Sequence, residues 1–369
     1  MNFDFSEEQR LLQKTARDFL AENAKLEVAR AVLESDRRYD EALWNEVAEM
    51  GWLGAVVPEE YGGAGFGHLE LAVIAEEVGR SLAPIPFSSS VYLATEALLV
   101  AGKPEQKERH LPKLATGEAI GTLAIAEGPG SLDPSRVQVS FADGKLSGRK
   151  LPVPDGDIAH LAVVAARTPD DASVLALADL NGSGVKRKPL VSIDPSRSLA
   201  EIEFSDAPAE LLGGSGEGAA IAEHVLDRAA VLTAFEQLGG GDAAFEQTRE
   251  HTMERYAFGR PIASFQAIKH RLADLWVKLE LARSNCYYGA WALSHEAPEL
   301  GVAASLSRVS ATEAFELATQ ESIQLHGGVG YTWEYDCHLF YRRAKLLGVA
   351  LGSAADWREK LISRVSETH

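Results

Sequence analysis

Glu254-Arg255-Tyr256-Ala257-Phe258-Gly259-Arg260-Pro261, continued by Ile262-Ala263-Ser264-Phe265-Gln266-Ala267-Ile268-Lys269-His270, is the stretch on which the reading of this sequence rests. Arg255 suits the C-terminal end of a helix, Gly259 and Pro261 force a turn, and Phe265 with Gln266 opens the next helix. Such a corner offers a guanidinium, a ring and an amide to one ligand: the guanidinium fork matches phosphate oxygens, the ring can cover an aromatic edge, and the amide both donates and accepts. Taken singly, an Arg on a helix dipole and a buried Phe would be ordinary structure. The string as a whole carries the ligand reading.

On either side of the corner the chain is helical. Apolar periodicity runs around 218–256, 265–295 and 300–325, so residues 216–369 read as a helical domain. Residues 1–117 read the same way. Ser6 and Gln9 form a capping box, and Leu11, Leu12, Ala16, Phe19 and Leu20 fall on one face of the first helix. Residues 41–56 repeat the period, a Gly-rich loop follows Pro58, and LELAVIAEEVGRSLA resumes it. Between them, 118–215 breaks into short Val, Ile and Thr runs separated by turns at 142–144, 154–157, 181–184 and 194–197, which predicts a β-domain. Helices, strands and helices in separate blocks make an α+β multidomain protein, not an alternating βα sheet. No GxGxxG follows a strand, so a dinucleotide fingerprint is missing.

The 369 residues carry 54 acidic and 36 basic side chains, a formal net charge of −18, which argues against nonspecific nucleic-acid binding. Two cysteines, Cys286 and Cys337, give neither a disulfide framework nor CxxC zinc spacing, so no metal is expected. With no secretory signal pattern at MNFDFSEEQRLL and no long uncharged apolar run, the expectation is a cytoplasmic protein without a membrane span.

A second string, Gln324-Leu325-His326-Gly327-Gly328-Val329-Gly330-Tyr331, ends a helical stretch with glycines that permit left-handed turns and close backbone approach to a ligand. Glu334 and Tyr341-Arg342-Arg343-Ala344-Lys345 follow. Together with Pro58-Glu59-Glu60-Tyr61-Gly62-Gly63-Ala64-Gly65, these strings resemble the acyl-CoA dehydrogenase family along essentially the whole chain. The resemblance implies an N-terminal α-helical domain, a middle β-barrel or sandwich domain and a C-terminal four-helix bundle, assembled as a tetramer. It implies FAD as cofactor, an acyl-CoA substrate from fatty acid or steroid side-chain catabolism, α,β-dehydrogenation to the 2-enoyl-CoA, and an electron-transfer flavoprotein as acceptor. It assigns Arg255, Phe258 and Gln266, with Gln324, Gly327 and Gly328, to the FAD of a neighbouring subunit, and it places Ser131 at the substrate. His326 reads as structural.

Dehydrogenation of this kind needs a carboxylate beside the substrate α-carbon. Where most of the family places it, shortly after the Arg-x-Ala-Lys segment, this chain has Leu351, which takes no proton. Some members supply the base from the first long helix of the C-terminal domain, and a gapless count puts Ala229 there. Asp227 is the nearby candidate, two residues and about 200° of helix away; the alternative is a solvated carboxylate next to Arg228. The flavin-ring segments depart too. Ala126-Glu127-Gly128-Pro129-Gly130-Ser131-Leu132-Asp133 replaces Thr-Glu-Pro and Gly-Ser-Asp, and Leu151-Pro152-Val153-Pro154, read as a proline-flanked loop, replaces Trp-Ile-Thr.

The contacts given to a neighbour's cofactor are kept, whereas the base and the chain's own flavin contacts are altered. A subunit of a heteromeric acyl-CoA dehydrogenase has that distribution. A self-sufficient homotetramer using Asp227 is the second reading. Flavin chemistry of oxygenase or desulfinase type, and a flavin-free acyl-CoA-binding scaffold, are the alternatives on the same fold.

Overall fold

The computed structural model describes residues 5–130 and 132–367. Ser6 caps the first helix as its sequence demands: its hydroxyl accepts from the Gln9 N–H, and the Gln9 side chain accepts from the Ser6 N–H. The helices that follow are α1 Glu7–Asn23, α2 Leu26–Leu33, α3 Glu41–Glu49, α4 His68–Arg80, α5 Glu96–Ala101 and α6 Pro104–Ala115, with a π-helical turn at Ser88–Thr95. On α1, Ala16 and Leu20 are buried, but Leu11 is 65% exposed and outside the buried stripe.

Seven strands come next: β1 Gly121–Ala124, β2 Ser140–Ala142, β3 Lys145–Pro154, β4 Leu161–Arg167, β5 Ser173–Asp179, β6 Val185–Leu190 and β7 Leu199–Leu212. They form one sheet in the order β1-β4-β2-β3-β7-β5, with β6 on β7 and a further β4–β5 pairing. The buried runs LAVVAA of β4 and VLALA of β5 pair antiparallel from Leu161↔Asp179 to Arg167↔Ser173 and supply much of this core. The remaining elements are α7 Gly218–Glu254, β8 Tyr256–Ala257, β9 Arg260–Pro261, α8 Gln266–Ser294, α9 Leu300–His326, α10 Cys337–Ala350 and α11 Ala354–Glu367.

The fold is thus a helical N-terminal part, a β-rich middle and a helical C-terminal part. Residue contacts gather the chain into two compact units. A helical unit comprises Met1–Ala31, His68–Ala83 and Ala230–His369; a strand-containing unit comprises Val32–Gly67 and Pro84–Ala229. Within the helical unit every position of α7 from Ala230 to Asp242 is buried, the pattern of a helix enclosed on all sides. Gly239, Gly240 and Gly241 make that possible. A Cβ on Gly239 would lie 1.8 Å from the Glu76 carbonyl oxygen of α4, one on Gly240 2.6 Å from the Phe315 ring of α9, and one on Gly241 2.9 Å from Leu279 of α8. Gly79 of α4 reciprocates, 1.8 Å from the Glu236 oxygen. These three consecutive glycines, inside the stretch whose period predicts a helix, are where α4, α8 and α9 come close to α7.

Candidate functional site

The corner after α7 is a two-residue hairpin. Arg255 still donates its N–H to the His251 carbonyl at 2.9 Å, then Tyr256 pairs with Pro261 and Ala257 with Arg260. Between them Phe258 (φ 53°) and Gly259 (φ 80°) both take positive φ, the tight turn that suits two twisted strands. Gly259 adopts this freely; Phe258 is a bulky residue held in a sparsely populated region. Its ring is 95% exposed, so it is no core residue. It meets Phe265 edge-on at 6.2 Å, and the Arg260 guanidinium sits 4.0 Å above Phe265. Arg255 and Gln266 are exposed, Gln266 being the first residue of α8.

The second string ends α9. The Gly327 N–H donates to the Gln324 carbonyl, and Gly327 turns the chain at φ 65°, ψ −137°. Gln324, Gly327 and Gly328 are exposed, and a Cβ placed on Gly259, Gly327 or Gly328 would meet nothing within 4 Å. His326 is buried, its Nδ1 2.7 Å from the Ser322 carbonyl, and its ring stacks on that of His251 at 4.0 Å and 26°. His251 lies one turn before Arg255, so the stack brings the corner and the glycine turn to the same end of the bundle. In the sequence the signal for His251 is its i, i−4 spacing from Arg255.

Leu351 stands at the C-cap of α10, 6% exposed, and its carbonyl accepts from the indole Nε1 of fully buried Trp357 at 2.9 Å. A turn earlier, buried Arg308 of α9 donates to the Leu347 carbonyl and, at 3.0 Å, to the Thr312 hydroxyl. Leu351, where the resemblance leads one to expect a base, is therefore a buried hydrocarbon at a hydrogen-bonded helix end. Asp227, on α7, is 7% exposed and Ala229 fully buried. The alternative of a solvated Asp227 is thereby corrected: this stretch of α7 is enclosed, and neighbouring Arg228 pairs with buried Glu96 at 2.7 Å rather than facing water.

In the strand-containing unit, Leu151-Pro152-Val153-Pro154 is not a loop but the last part of β3. The prolines fit because the β3–β7 register shifts between Lys150 and Val153, so the ladder asks Pro152 for no N–H, and Pro154 ends the strand opposite Leu199. Leu151 donates its own N–H to the Ala126 carbonyl at 2.8 Å, which joins the two segments that depart from the family pattern. Lys150 is fully buried, with Nζ 2.7 Å from Glu127 Oε1 and 2.9 Å from the Ile125 carbonyl. Burial lowers the Lys150 ammonium to about 8 against the opposing pull of Glu127. Burial pushes the Glu127 carboxyl up, but the Lys150 ammonium and the N–H groups of Val139 and Gln138 prevail and hold it below the usual range. Ser131 lies outside the described residues.

Comparison with known proteins gives the class. The profile of the acyl-CoA dehydrogenase N-terminal domain matches residues 6–118, and that of the C-terminal domain matches residues 216–365. Acyl-CoA dehydrogenase IpdE2 of Mycobacterium tuberculosis is 36% identical over 363 residues, 98% of this chain and 98% of its own. Among solved structures, the ChsE4-ChsE5 complex from Mycobacterium tuberculosis is matched with a TM-score of 0.90 at 26% identity, over 100% of both chains. An acyl-CoA dehydrogenase complexed with FAD from Bacillus anthracis is matched at 0.91 and 26%, over 99% of this chain and 67% of that one. The chain belongs to the acyl-CoA dehydrogenase family, oxidoreductases acting on CH–CH bonds. Among the described residues no helix is long and apolar enough to cross a membrane.

Proposed function

We propose that this chain is one subunit of a heteromeric, FAD-dependent acyl-CoA dehydrogenase, which completes the FAD site of an adjacent subunit and leaves proton abstraction to a partner chain. The observation that carries the reading is Leu351: the usual base position holds a buried hydrocarbon, while the corner and the glycine turn stay open. The residues present suit FAD. Arg255 can meet phosphate oxygens, the exposed Phe258 ring can lie against an aromatic edge, Gln266 and Gln324 offer amides, and Gly327 and Gly328 leave room for close approach. FAD, when bound, supplies the hydride acceptor for α,β-dehydrogenation of the acyl-CoA. A solved structure similar to this chain is a complex of two named components, ChsE4 and ChsE5, which supports a heteromeric reading. A tetrameric assembly, a cytoplasmic location and an electron-transfer flavoprotein as acceptor go with the reading.

The burial of Asp227 favours a second reading, a homotetramer in which that carboxylate, held away from bulk water on α7, is the base. The visible spectrum and FAD-to-subunit ratio of the chain, purified alone and after co-expression with candidate partners, decide between the two. A colourless lone protein that turns yellow and active only with a partner supports the heteromer. Near-stoichiometric flavin in the lone protein, bleached by acyl-CoA, sinks it and makes Asp227→Asn the next experiment.

A further inference from the structure

The two strings assigned to the cofactor edge come from chain segments about seventy residues apart, and the described contact that ties them is a pair of imidazoles. His251 and His326 stack at 4.0 Å with 26° between the planes. His326 is 6% exposed, anchored through Nδ1 to the Ser322 carbonyl of its own helix and touched edge-on by Tyr335 at 6.0 Å. His251 is half-buried on the last turn of α7, and its carbonyl receives the Arg255 N–H that starts the hairpin. His326 immediately precedes Gly327. A displacement of either ring is thus transmitted to one of the two strings within a turn of helix.

We propose that the His251–His326 stack is a positioning device that couples the Arg255–Pro261 hairpin to the Gly327–Gly328 turn, and that it holds while at least one imidazole is neutral and loosens when both are protonated. Two imidazolium rings face to face repel, whereas a neutral pair gains the ordinary attraction of offset aromatic rings. The charged and titratable groups around the pair are Glu254 and Arg255 on α7, and Tyr335 on the segment after the glycine turn; from α9 the Ser322 carbonyl accepts. Burial lowers both rings, and for His251 the neighbouring His326 and Arg255 lower it further against the opposing pull of Glu254. The sign follows. With folded values below the ordinary 6.5, the stack is fully present above that pH and is lost as pH falls through the lowered values.

The functional consequence rests on the reading of these strings as a cofactor edge; the coupling itself does not. The test is hydrogen–deuterium exchange of the full chain, corrected for intrinsic rates, at about pH 7.5 and at a lower pH where NMR shows both imidazoles protonated, followed at the Arg255, Ile262 and Gly327 amides, with FAD retention of the assembled enzyme measured in parallel. Expected is a joint rise in exchange of both segments by roughly three- to tenfold at the lower pH. His326→Phe, which keeps a ring but cannot titrate, should flatten that response. If His326→Phe does not fold, His251→Phe at the half-buried position serves instead. Segments that respond independently, or a Phe variant that keeps the wild-type pH response, overturn the proposal. Joint exchange with FAD retention indifferent to pH supports the coupling while sinking the cofactor-edge reading.

Discussion

Gly239 and Gly328 lie in the same helical unit, each within a run of glycines, yet they do opposite work. A Cβ on Gly239 would be driven into the Glu76 carbonyl at 1.8 Å; one on Gly328 would meet nothing within 4 Å. The first marks a crossing where α4 and α7 touch backbone to backbone. The second marks a surface from which side-chain bulk has been withheld although the protein itself needs no such space. What stands against the missing side chain separates a glycine that packing demands from one that packing does not.

The sharpest way to break this comparison is Gly239→Ala. Because the obstacle is backbone on a second helix, the helices must separate along a fully buried contact, and the expected loss is about 4 kcal/mol or more, read from the midpoint of chemical denaturation. A variant that folds with near-normal stability would show that the crossing yields, and the distinction between the two glycines would lose its basis.

Charge is packed into the same crossing. Arg283 of α8 reaches Glu76 of α4 at 3.0 Å and Asp242 of α7 at 2.5 Å, and Gln13 of α1 donates to Glu76 at 3.2 Å. Burial raises Glu76 to about 7, Arg283 opposes, and Asp242 and Glu77 add to the rise. Its folded value therefore exceeds the ordinary 4.5 of a free Glu. The stability it lends is fully present below that value and is lost as pH rises through about 7. Between about pH 5 and pH 7.5 the wild type should lose on the order of 2 kcal/mol from this group. Glu76→Gln should flatten the slope, with a remainder from Asp242, which burial raises in the same direction. Equal slopes in the two proteins would place the proton elsewhere.

How much of this was legible in the sequence follows the same division. The backbone of the corner at 254–261 and of the turn at 324–331 could be read because short-range geometry sets it: a helix end, a turn with glycine, a helix start. The three long helices after residue 216 announced themselves by period. What stayed hidden depends on partners distant in the chain. The period places Gly239-Gly240-Gly241 in a helix but gives no reason for them, because the α4, α8 and α9 residues they admit lie elsewhere in the chain. Pro152 reads as a loop because the register shift that excuses its missing N–H belongs to the pairing with β7. For Asp227 the sequence leaves a candidate base and a solvated carboxylate side by side, because the burial that removes the second comes from the fold, and Leu11 reads as core from its place on the wheel although the buried stripe passes through Ala16 and Leu20.

At the open end of the comparison the expected effects on stability are small and those on ligand binding larger. Gly328→Ala should change stability by less than about 0.5 kcal/mol. Gly327→Ala should lose about 1–2 kcal/mol, since its positive φ and negative ψ lie where alanine is strained. Both should lower the FAD-to-subunit ratio of the assembled enzyme. If Gly328→Ala leaves the flavin content untouched, the open face at this position is not kept open for the cofactor.

Phe258→Asn carries the smallest expected effect on the fold and the finest test of the corner. The ring is 95% exposed, so its removal forfeits little burial, and asparagine tolerates the positive φ that Phe258 bears at 53°. Stability should stay within about 0.5 kcal/mol of wild type or rise slightly. A hairpin that is no less stable without its phenylalanine leaves folding with no use for an exposed ring in a strained conformation. The remaining use is against a ligand or a neighbouring chain, and FAD retention in the assembled enzyme should fall accordingly. A marked loss of stability would reverse the inference and make Phe258 a structural residue, held in place by its edge-on contact with Phe265.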